Sequence, residues 1–363
     1  MFIHFGQVHI DYMEYLQYMD AILTSLPREE MLVYMILLLQ YLVYTGYQFL
    51  KRWMERPLFS ELPLVSIVIV THNRKKHLVR LIRSILYSKY PSDKMEIIVI
   101  DDNSSDGTFS LVRRIFPQIK IIRNNKEKLL AESRNIGIRN SCGDYIFIID
   151  DDNIVDSDTI WNLVTFMESH PSVGVAGPKM YYLKDSQRIW CAGVKINYYN
   201  TITKFIGRDT IDDGTFDKII ESDAFPNAFI VPRKVIEKVG MLNSKLFPIH
   251  YDEGDFCNRV KQAGYRVMLV PSAKVWHDVP FTKEKFKMRL RNPMRAYYTI
   301  RNRFFFHRIW SKNILQHVFS TFFSLFISIY YLIMVLVDNP QEKNCVIKAA
   351  LKGLFDGILL KWR

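Results

Sequence analysis

The chain has 363 residues, of which 49% are hydrophobic and 24% charged, with a formal net charge of +12. This composition supports one large folded domain with appendages and argues against a disordered chain. The four cysteines, Cys142, Cys191, Cys257 and Cys345, lack zinc-site spacing, so we expect reduced thiols in a cytosolic setting.

The first predicted element is an apolar stretch of 20 uncharged residues, Met31–Leu50, within an N-terminal segment 1–57. A helix of this length is long enough to cross a hydrocarbon core of about 30 Å. Gln40 and Gly46 interrupt it, so an interfacial position is an open alternative, as is a buried core helix.

Residues 64–178 alternate strand-like and helix-like patterns within a predicted catalytic domain, 58–280. The runs LVSIVIV (64–70), EIIVI (96–100), IKIIR (119–123) and DYIFII (144–149) have the apolar character of strands buried on both faces. Helical patterns lie between them, at 75–88, after a cap at 104–106, and near 129–140. The alternation predicts a mostly parallel, Rossmann-like α/β sheet, which binds ligands beyond the carboxyl ends of its strands.

Acidic residues follow two of these strands, at 101–102 and at 150–152. Three adjacent carboxylates repel one another unless water or a cation surrounds them. An EF-hand is excluded because the required glycine is missing, and helix capping explains only one aspartate. In an extended segment Asp150 and Asp152 point the same way, which predicts an Mg²⁺ or Mn²⁺ site with Asp151 turned elsewhere.

After residue 180 the pattern changes to hairpin-like segments, a strand at 227–232, a short helix ending at Gly240, and a helix–strand unit beginning near YDEGD. No P-loop and no GxGxxG motif is present, so a nucleotide would be held mainly by metal and acids.

The segment 281–313 is strongly basic and rich in aromatic residues. Ten Lys or Arg residues accompany one acid, Glu284. Such a run suits nucleic acid or an anionic membrane face, and the apolar stretch that follows favours the membrane. We therefore expect membrane lipids and no nucleic acid as partners.

The apolar stretch Ile314–Val337 has 24 residues without a formal charge and precedes a basic amphipathic tail, 338–363. Basic residues flank the two apolar stretches on the sides that face the middle of the chain, so the positive-inside rule places residues 51–313 in the cytoplasm. Whether 314–337 spans the membrane, re-enters it or lies at its interface is left open, with a buried core helix as the remaining alternative.

Four segments together carry a family resemblance: VSIVIVTHNRKKHLVRLIRSIL, EIIVIDDNSSDGT, AESRNIGIRNSCGDYIFIIDDDN and HYDEGDFCNRVKQAGYRV. The chain resembles a family 2 glycosyltransferase of the GT-A fold over about residues 63–310, closest to the rhamnosyl- and galactofuranosyltransferase-like branch. The segment YYTIRNRFFFHR and its apolar continuation resemble the membrane-associated tail of that branch.

The resemblance implies roles for particular residues. Thr71 and Asn73 match the loop that borders the nucleotide base, Asp102 the acid that contacts it, and Arg134 a residue near the donor diphosphate. Asp150 and Asp152 match the DxD motif that holds Mg²⁺ or Mn²⁺, with Asp151 between them in the donor site. His277 matches a histidine that completes the metal site in some members.

The general base matches the second acid of YDEGD, Glu253, but the acids of this segment are swapped relative to many members. Asp252 therefore stays open as the base. Trp190, Gly193 and Asn227 resemble residues that line the donor or acceptor pocket, for which core packing or a turn is an equal explanation.

These matches predict a metal-dependent, inverting transfer of a sugar from a nucleotide-diphosphate donor to a hydroxyl of a lipid-linked or other glycan acceptor. The expected context is assembly of a surface glycan or of a lipid-linked oligosaccharide for protein glycosylation. Two alternatives are a non-catalytic membrane adaptor on a degenerate transferase fold and a sugar-nucleotide pyrophosphorylase, although the glycine-rich loop of the latter is missing after the first strand.

Overall fold

The structure is a computed structural model that describes residues 62–281, 292–338 and 342–359, two short strands near the N-terminus, and residues 40 and 44. The chain divides into two units, Met1–Glu61 and Leu62–Arg363. In the first unit, β1 (Ile3–Phe5) pairs antiparallel with β2 (Val8–Ile10). The predicted helix at 31–50 lies outside the described residues except for Gln40 and Tyr44, which are helical.

The second unit begins with the predicted alternation of strands and helices. Its elements are β3 (Val65–Thr71), α1 (Lys75–Leu86), β4 (Met95–Asp101), α2 (Thr108–Ile115), β5 (Lys120–Arg123), α3 (Leu130–Arg139) and β6 (Tyr145–Asp150). The strands are runs of β-branched and aromatic residues, and α1 buries Leu78, Leu81, Ile82 and Ile85 against them.

The remaining elements of the catalytic region are shorter and more varied. They are β7 (Asn153–Val155), α4 (Thr159–Ser169), β8 (Val173–Tyr182), β9 (Asp185–Cys191), β10 (Val194–Ile196), β11 (Thr203–Phe205), β12 (Ala228–Pro232), α5 (Arg233–Val239), α6 (Asp252–Gln262) and β13 (Arg266–His277).

A nine-stranded sheet organises this unit, with strand order β5-β4-β3-β6-β12-β8-β13-β7 and β9 paired to β8. The neighbours from β5 to β6 are parallel, whereas β12 runs antiparallel to both β6 and β8. The sheet is therefore mixed and mostly parallel in its first half, as the sequence predicts for that half. The parallel strands β3, β4 and β6 end at one edge, at Thr71, Asp101 and Asp150.

The starts of helices α2 and α4 are set by local hydrogen bonds, and α2 begins later than the sequence predicts. Helix α2 begins at Thr108, after Gly107 with φ of +85°, rather than directly after Ser104 or Ser105. The Asp106 carboxylate instead accepts a hydrogen bond from the Thr108 backbone N–H at 3.0 Å. Helix α4 begins at Thr159 because Asp156 holds a turn, accepting from the Asp158 N–H at 3.0 Å.

Three helices close the described chain: α7 (Pro293–Trp310), α8 (Ile314–Asp338) and α9 (Lys343–Ile358). Asn292 caps α7 by accepting from the backbone N–H groups of Met294 and Arg295. Helix α9 packs closely on α7, since a Cβ at Gly353 would lie 2.5 Å from the Tyr297 carbonyl oxygen. Among the described residues, only α8 is long and apolar enough to cross a membrane.

The described part of the basic segment 281–313 packs against the catalytic unit, which its composition alone does not indicate. Residues 282–291 lie outside the described part. Arg301 is buried and donates to the Leu246 carbonyl at 2.9 Å, and buried Arg303 donates to the Thr201 carbonyl at 2.6 Å. These two arginines therefore join α7 to the catalytic unit and do not face lipid headgroups.

Candidate active site

A pocket of about 1210 Å³ opens at the carboxyl ends of β3, β4 and β6. Most of the predicted site residues line it, whereas Asn73, Arg134 and the weaker candidate Gly193 do not. The lining includes Thr71, Asp102, Asp150, Asp151, Asp152, Asp252, Glu253 and His277. Residues far apart in sequence thus meet at the edge where a sheet of this type binds its ligands.

The three adjacent aspartates diverge at the end of β6. Asp150 is the last strand residue and accepts a hydrogen bond from Arg134 Nη2 at 2.7 Å. Asp151 Oδ2 accepts from Thr71 Oγ1 at 2.6 Å, and Asp152 Oδ2 accepts from Arg74 Nη1 at 2.7 Å. Residues 151 and 152 form a turn, so the strand alternation from which the pairing of Asp150 with Asp152 was expected does not apply here, and that pairing stays a prediction.

Asp151 and Asp152 differ in protonation. Burial raises the pKa of Asp151 to about 7, against the opposing effects of Thr71 and Arg74. Burial acts in the same direction on Asp152, but His277 and Arg74 outweigh it and lower its pKa to about 2. Asp152 is consequently the more firmly ionised of these two carboxylates.

His277 ends β13 and lies beside Asp152. Its Nε2 is 3.3 Å from Asp152 Oδ1 and 2.9 Å from Asn227 Nδ2. The ring of Trp190 meets the imidazole edge-on, with ring centroids 4.4 Å apart. Trp190 and Asn227, which are weaker candidates from the sequence, therefore contact the His277 ring and fix its orientation in the pocket.

The GT-A fold implies a divalent metal, so we asked whether the residues present fit one. In the part of the chain that the structure describes, no three His, Cys, Asp or Glu side chains already converge as a ligand set. However, Asp152 Oδ1 is buried without a hydrogen-bond partner and faces an imidazole nitrogen. Carboxylate oxygens suit Mn²⁺ and Mg²⁺, and an imidazole beside them favours Mn²⁺ of the two. Arg74 supplies the positive charge in this structure.

Arg134 connects the strand-end acids to the acids of α6. Its side chain is fully buried, with Nη2 on Asp150 and Nη1 at 2.8 Å from Asp252 and 2.9 Å from Glu253. The expected position of Arg134 was near the donor diphosphate. In the structure Arg134 does not line the pocket and contacts three carboxylates, and its role toward a donor stays a prediction.

Asp252 and Glu253 share this arginine but differ in exposure. The Asp252 side chain is completely buried, whereas Glu253 is 17% exposed and lines the pocket. Burial and the neighbouring Glu253 raise the pKa of Asp252 well above its usual value. Burial also opposes ionisation of Glu253, but the Arg134 charge and hydrogen bond outweigh it and lower its pKa. The pair therefore holds a proton on Asp252 and a negative charge on Glu253.

Asp102 and Asn73 shape the rim of the pocket through the backbone. Asp102 accepts hydrogen bonds from Asn124 Nδ2 at 2.7 Å and from the backbone N–H groups of Lys128 and Leu129. Asn73 has φ of +54° and accepts from the N–H groups of residues 105 and 106. These contacts fix the loops after β3, β4 and β5 relative to one another.

Two groups of pocket residues carry no specific signal in the sequence. Arg74 lies in the quoted THNRKK motif, but only the structure shows it bridging Asp151 and Asp152. Helix α7 contributes Met294, Arg295 and Thr299 to the lining, although its basic composition suggested a membrane role alone. Only tertiary packing identifies these residues.

Comparisons with known proteins agree with this geometry. Residues 66–238 match the family model described as glycosyl transferase family 2. The probable glycosyltransferase YdaM of Bacillus subtilis is 26% identical over 299 residues, which cover 78% of this chain and 67% of the relative. The dTDP-rhamnosyl transferase RfbF of Shigella flexneri is 25% identical over 308 residues, which cover 81% of this chain and 95% of the relative.

Solved structures share the fold at low sequence identity. GalNAc-T7 with UDP, GalNAc and Mn²⁺ superposes with a TM-score of 0.54 at 17% identity, over 67% of this chain but only 48% of that one. The mannosyltransferase PcManGT of Pyrobaculum calidifontis, in complex with GDP-Man and Mn²⁺, gives 0.50 at 16% identity, over 88% of this chain and 95% of that one.

Proposed function

We propose that this chain, whose residues 66–238 match the model of glycosyl transferase family 2, is a metal-dependent, inverting transferase that takes its sugar from a nucleotide-sugar donor. The acceptor in this proposal is the hydroxyl of a lipid-linked glycan at the cytoplasmic face of a membrane. The observation that carries the proposal is the meeting of ionised Asp152, His277 and Glu253 in one pocket.

The chemistry assigned to Glu253 is general-base catalysis. An acceptor hydroxyl is a poor nucleophile until a carboxylate removes its proton. Glu253 is negatively charged and reaches the pocket, whereas Asp252 is buried and retains its proton. Arg134 donates to both side chains and fixes the orientation of the Glu253 carboxylate.

The metal-binding side of the pocket is assigned to Asp152 and His277, with Asp150 on the neighbouring strand end. A bound Mn²⁺ or Mg²⁺ would act as a Lewis acid that stabilises charge on the leaving diphosphate. Asp152 stays ionised at neutral pH and presents an oxygen that accepts no protein hydrogen bond. Arg74 is 43% exposed, so its side chain can leave this site without disturbing the core.

Two features support a lipid-linked acceptor. Apolar side chains line part of the pocket, among them Trp190, Val194, Ile196 and Phe205. Helix α7 forms another part of the wall and packs against the apolar helix α8. An acceptor carried on a membrane lipid would reach the pocket from this direction.

Cytoplasmic orientation is supported by the flanking charges. Lys51, Arg52 and Arg56 follow the first apolar stretch, and Arg308 and Lys312 precede the second. Cytoplasmic flanks of membrane segments carry an excess of such residues. The RfbF relative is named for a dTDP-rhamnose donor, which makes a dTDP-sugar the first donor to test.

The testing experiment is calorimetric titration with dTDP, UDP and GDP, each with and without Mn²⁺. We expect one nucleotide to bind with Mn²⁺ and to lose most of its affinity in Asp152→Ala. Asp93→Ala, which removes an exposed carboxylate outside the pocket, is the matched control. A folded protein that binds no nucleotide under any condition would favour the non-catalytic adaptor.

A further inference from the structure

Helix α8 has its polar and apolar faces reversed relative to a surface helix in water. Its buried side contains Ser320, Ser324 and Ser328, spaced one turn apart. Its exposed side is apolar and aromatic over the whole length of the helix. The exposed residues are Ile314, Leu315, Val318, Phe319, Phe322, Leu325, Phe326, Ile329, Ile333, Leu336 and Val337. A helix arranged in this way faces an apolar medium on its outer side.

Helix α8 lies along α7 rather than projecting from it. Ser311 Oγ and Ser320 Oγ are 3.5 Å apart at one end, and Arg303 Nη2 donates to the Tyr331 hydroxyl at 3.1 Å further along. At the other end Val335 packs in a cluster with Ala296 and Ile300. The two helices are therefore antiparallel neighbours over most of their length.

The catalytic unit holds α7 in place from the side. Asn302 Nδ2 donates to the Ile249 carbonyl at 2.9 Å, and Arg301 donates to the Leu246 carbonyl in the same loop. Arg303 donates to the Thr201 carbonyl in a second loop, between β10 and β11. Near the start of α8, the ring of Phe319 also contacts Tyr199 of the β10–β11 loop, with centroids 6.4 Å apart. Loops of the catalytic unit thus lie beside α8 along the length of the helix, and not only beyond one of its ends.

This arrangement is incompatible with a helix that crosses the bilayer. If α8 spanned the hydrocarbon core, the adjoining loops of the catalytic unit would enter it as well. Backbone groups and charged side chains at that depth need internal partners that irregular loops do not supply. We infer that α8 lies in the plane of an anionic bilayer, with its apolar side in the boundary between headgroups and acyl chains.

The charges around α8 identify the lipid class. No Asp, Glu, Lys or Arg lies between residues 314 and 337. Arg308 and Lys312 are exposed where α8 begins, and Lys348 and Lys352 are exposed on the neighbouring α9. Exposed lysines and arginines at the edge of an apolar face attract anionic headgroups. The inference rests on the membrane association proposed above and specifies its geometry.

In-plane binding has a consequence for topology. Helix α9 follows α8 and packs on α7, so it lies on the same side of the membrane as the catalytic unit. Labelling of two native cysteines can show on which side of the membrane each of these parts lies. Cys142 is exposed in the catalytic unit before α8, and Cys345 is exposed on α9 after it, whereas Cys191 and Cys257 are buried.

The first experiment labels the full-length protein in sealed membrane vesicles of both orientations with a membrane-impermeant maleimide. Labelling is done at mildly alkaline pH, because a hydrogen bond to Glu96 raises the pKa of Cys142. Cys142→Ala and Cys345→Ala assign the labelled positions. We expect both thiols to react in the same vesicle orientation. Labelling of Cys345 only in the opposite orientation would show a spanning helix and overturn the inference.

The second experiment measures binding of the purified full-length protein to phosphatidylcholine vesicles with and without phosphatidylglycerol. Phe322→Glu, at a site 62% exposed, should weaken binding to the anionic vesicles by about tenfold or more. Tyr87→Glu, at a site 81% exposed on the catalytic unit, is the matched control and should change nothing. Loss of self-association in Phe322→Glu without loss of vesicle binding would show that a second copy covers this face, against the inference.

Nucleotide binding is measured in the same variants. Helix α8 contributes no residue to the lining of the pocket, so Phe322→Glu should bind the donor nucleotide as the wild type does. Retained nucleotide binding with unaltered vesicle binding would reject the in-plane helix and leave the transferase proposal intact. Absent nucleotide binding in the wild type would reject the transferase proposal while vesicle binding still reports on α8.

Discussion

Two acidic regions meet at Arg134, and the adjacent carboxylates of each region are stabilised in a different way. At the end of β6, Asp150 contacts Arg134, whereas Asp151 and Asp152 share Arg74, and Asp152 stays ionised. At the start of α6, Asp252 and Glu253 share one arginine, and only Glu253 keeps its charge.

The difference follows from access to cations and water. Asp152 has Arg74 and His277 beside it and is 14% exposed, so ionisation is favoured. The Asp252 side chain is not exposed to solvent, and its one cationic partner, Arg134, also contacts two other carboxylates. Desolvation therefore makes the protonated, neutral form of Asp252 the stable one. One region therefore presents negative charge suited to a cation, and the other presents one base with a neutral neighbour.

The strongest test of this comparison is Glu253→Gln. Loss of a general base typically slows catalysis by about 10² to 10⁴-fold, and we expect a loss in that range. The measurement is the rate at which nucleoside diphosphate is released from the donor as its sugar is transferred to an acceptor or to water. The affinity for the nucleotide is measured in parallel. Affinity should be retained, because Glu253 contacts Arg134 and not the strand-end acids.

Glu237→Gln, on the exposed side of α5, is the control for this substitution and should have wild-type activity. Full activity in Glu253→Gln together with inactivity in Asp252→Asn would reverse the comparison and assign the base to Asp252.

Arg134→Met tests the connection between the two regions. Removing a buried cation leaves three carboxylates without their shared partner, and breaking such a network lowers the free energy of unfolding by about 3–5 kcal/mol. Arg139→Met, on the same helix at a side chain 45% exposed, should change it by less than about 1 kcal/mol. Thermal or denaturant unfolding of both variants measures the difference. Equal stability of the two would show that Arg134 contributes nothing as a bridge.

The sequence predicted the parts of the fold that depend on local patterns. Apolar runs in β3, β4 and β6 and the helical face of α1 were sufficient to identify the parallel half of the sheet. The edge where acids collect followed from that topology. The antiparallel insertion of β12 between β6 and β8 was not predictable, because pairing between distant strands leaves no local signal.

The site was predictable as a set of residues but not as a set of contacts. The family resemblance indicated Asp150, Asp152 and Glu253 as functional residues, whose roles remain predictions. It could not show that the strand ends at Asp150 and that Asp151 and Asp152 lie in a turn. Arg134 lies behind the acids because its helix α3 packs on β3 and β4, and this depends on tertiary structure alone.

The smallest expected effect on activity belongs to Asp252→Asn. The asparagine amide can replace the neutral carboxyl group, donating to Glu253 and accepting from Arg134, so the rate of transfer should stay close to that of the wild type. The effect on stability depends on pH. Above the ordinary carboxyl pKa the unfolded chain releases the Asp252 proton, whereas the folded protein retains it. Folding then takes up a proton, so the wild type loses stability relative to Asp252→Asn as pH rises. The loss is about 1.4 kcal/mol per pH unit until the pH reaches the raised pKa of Asp252. Denaturant unfolding of both proteins at several pH values measures this slope. A stability difference that does not change with pH would mean that Asp252 is ionised in the folded protein, and the contrast between the two acidic regions would then fail.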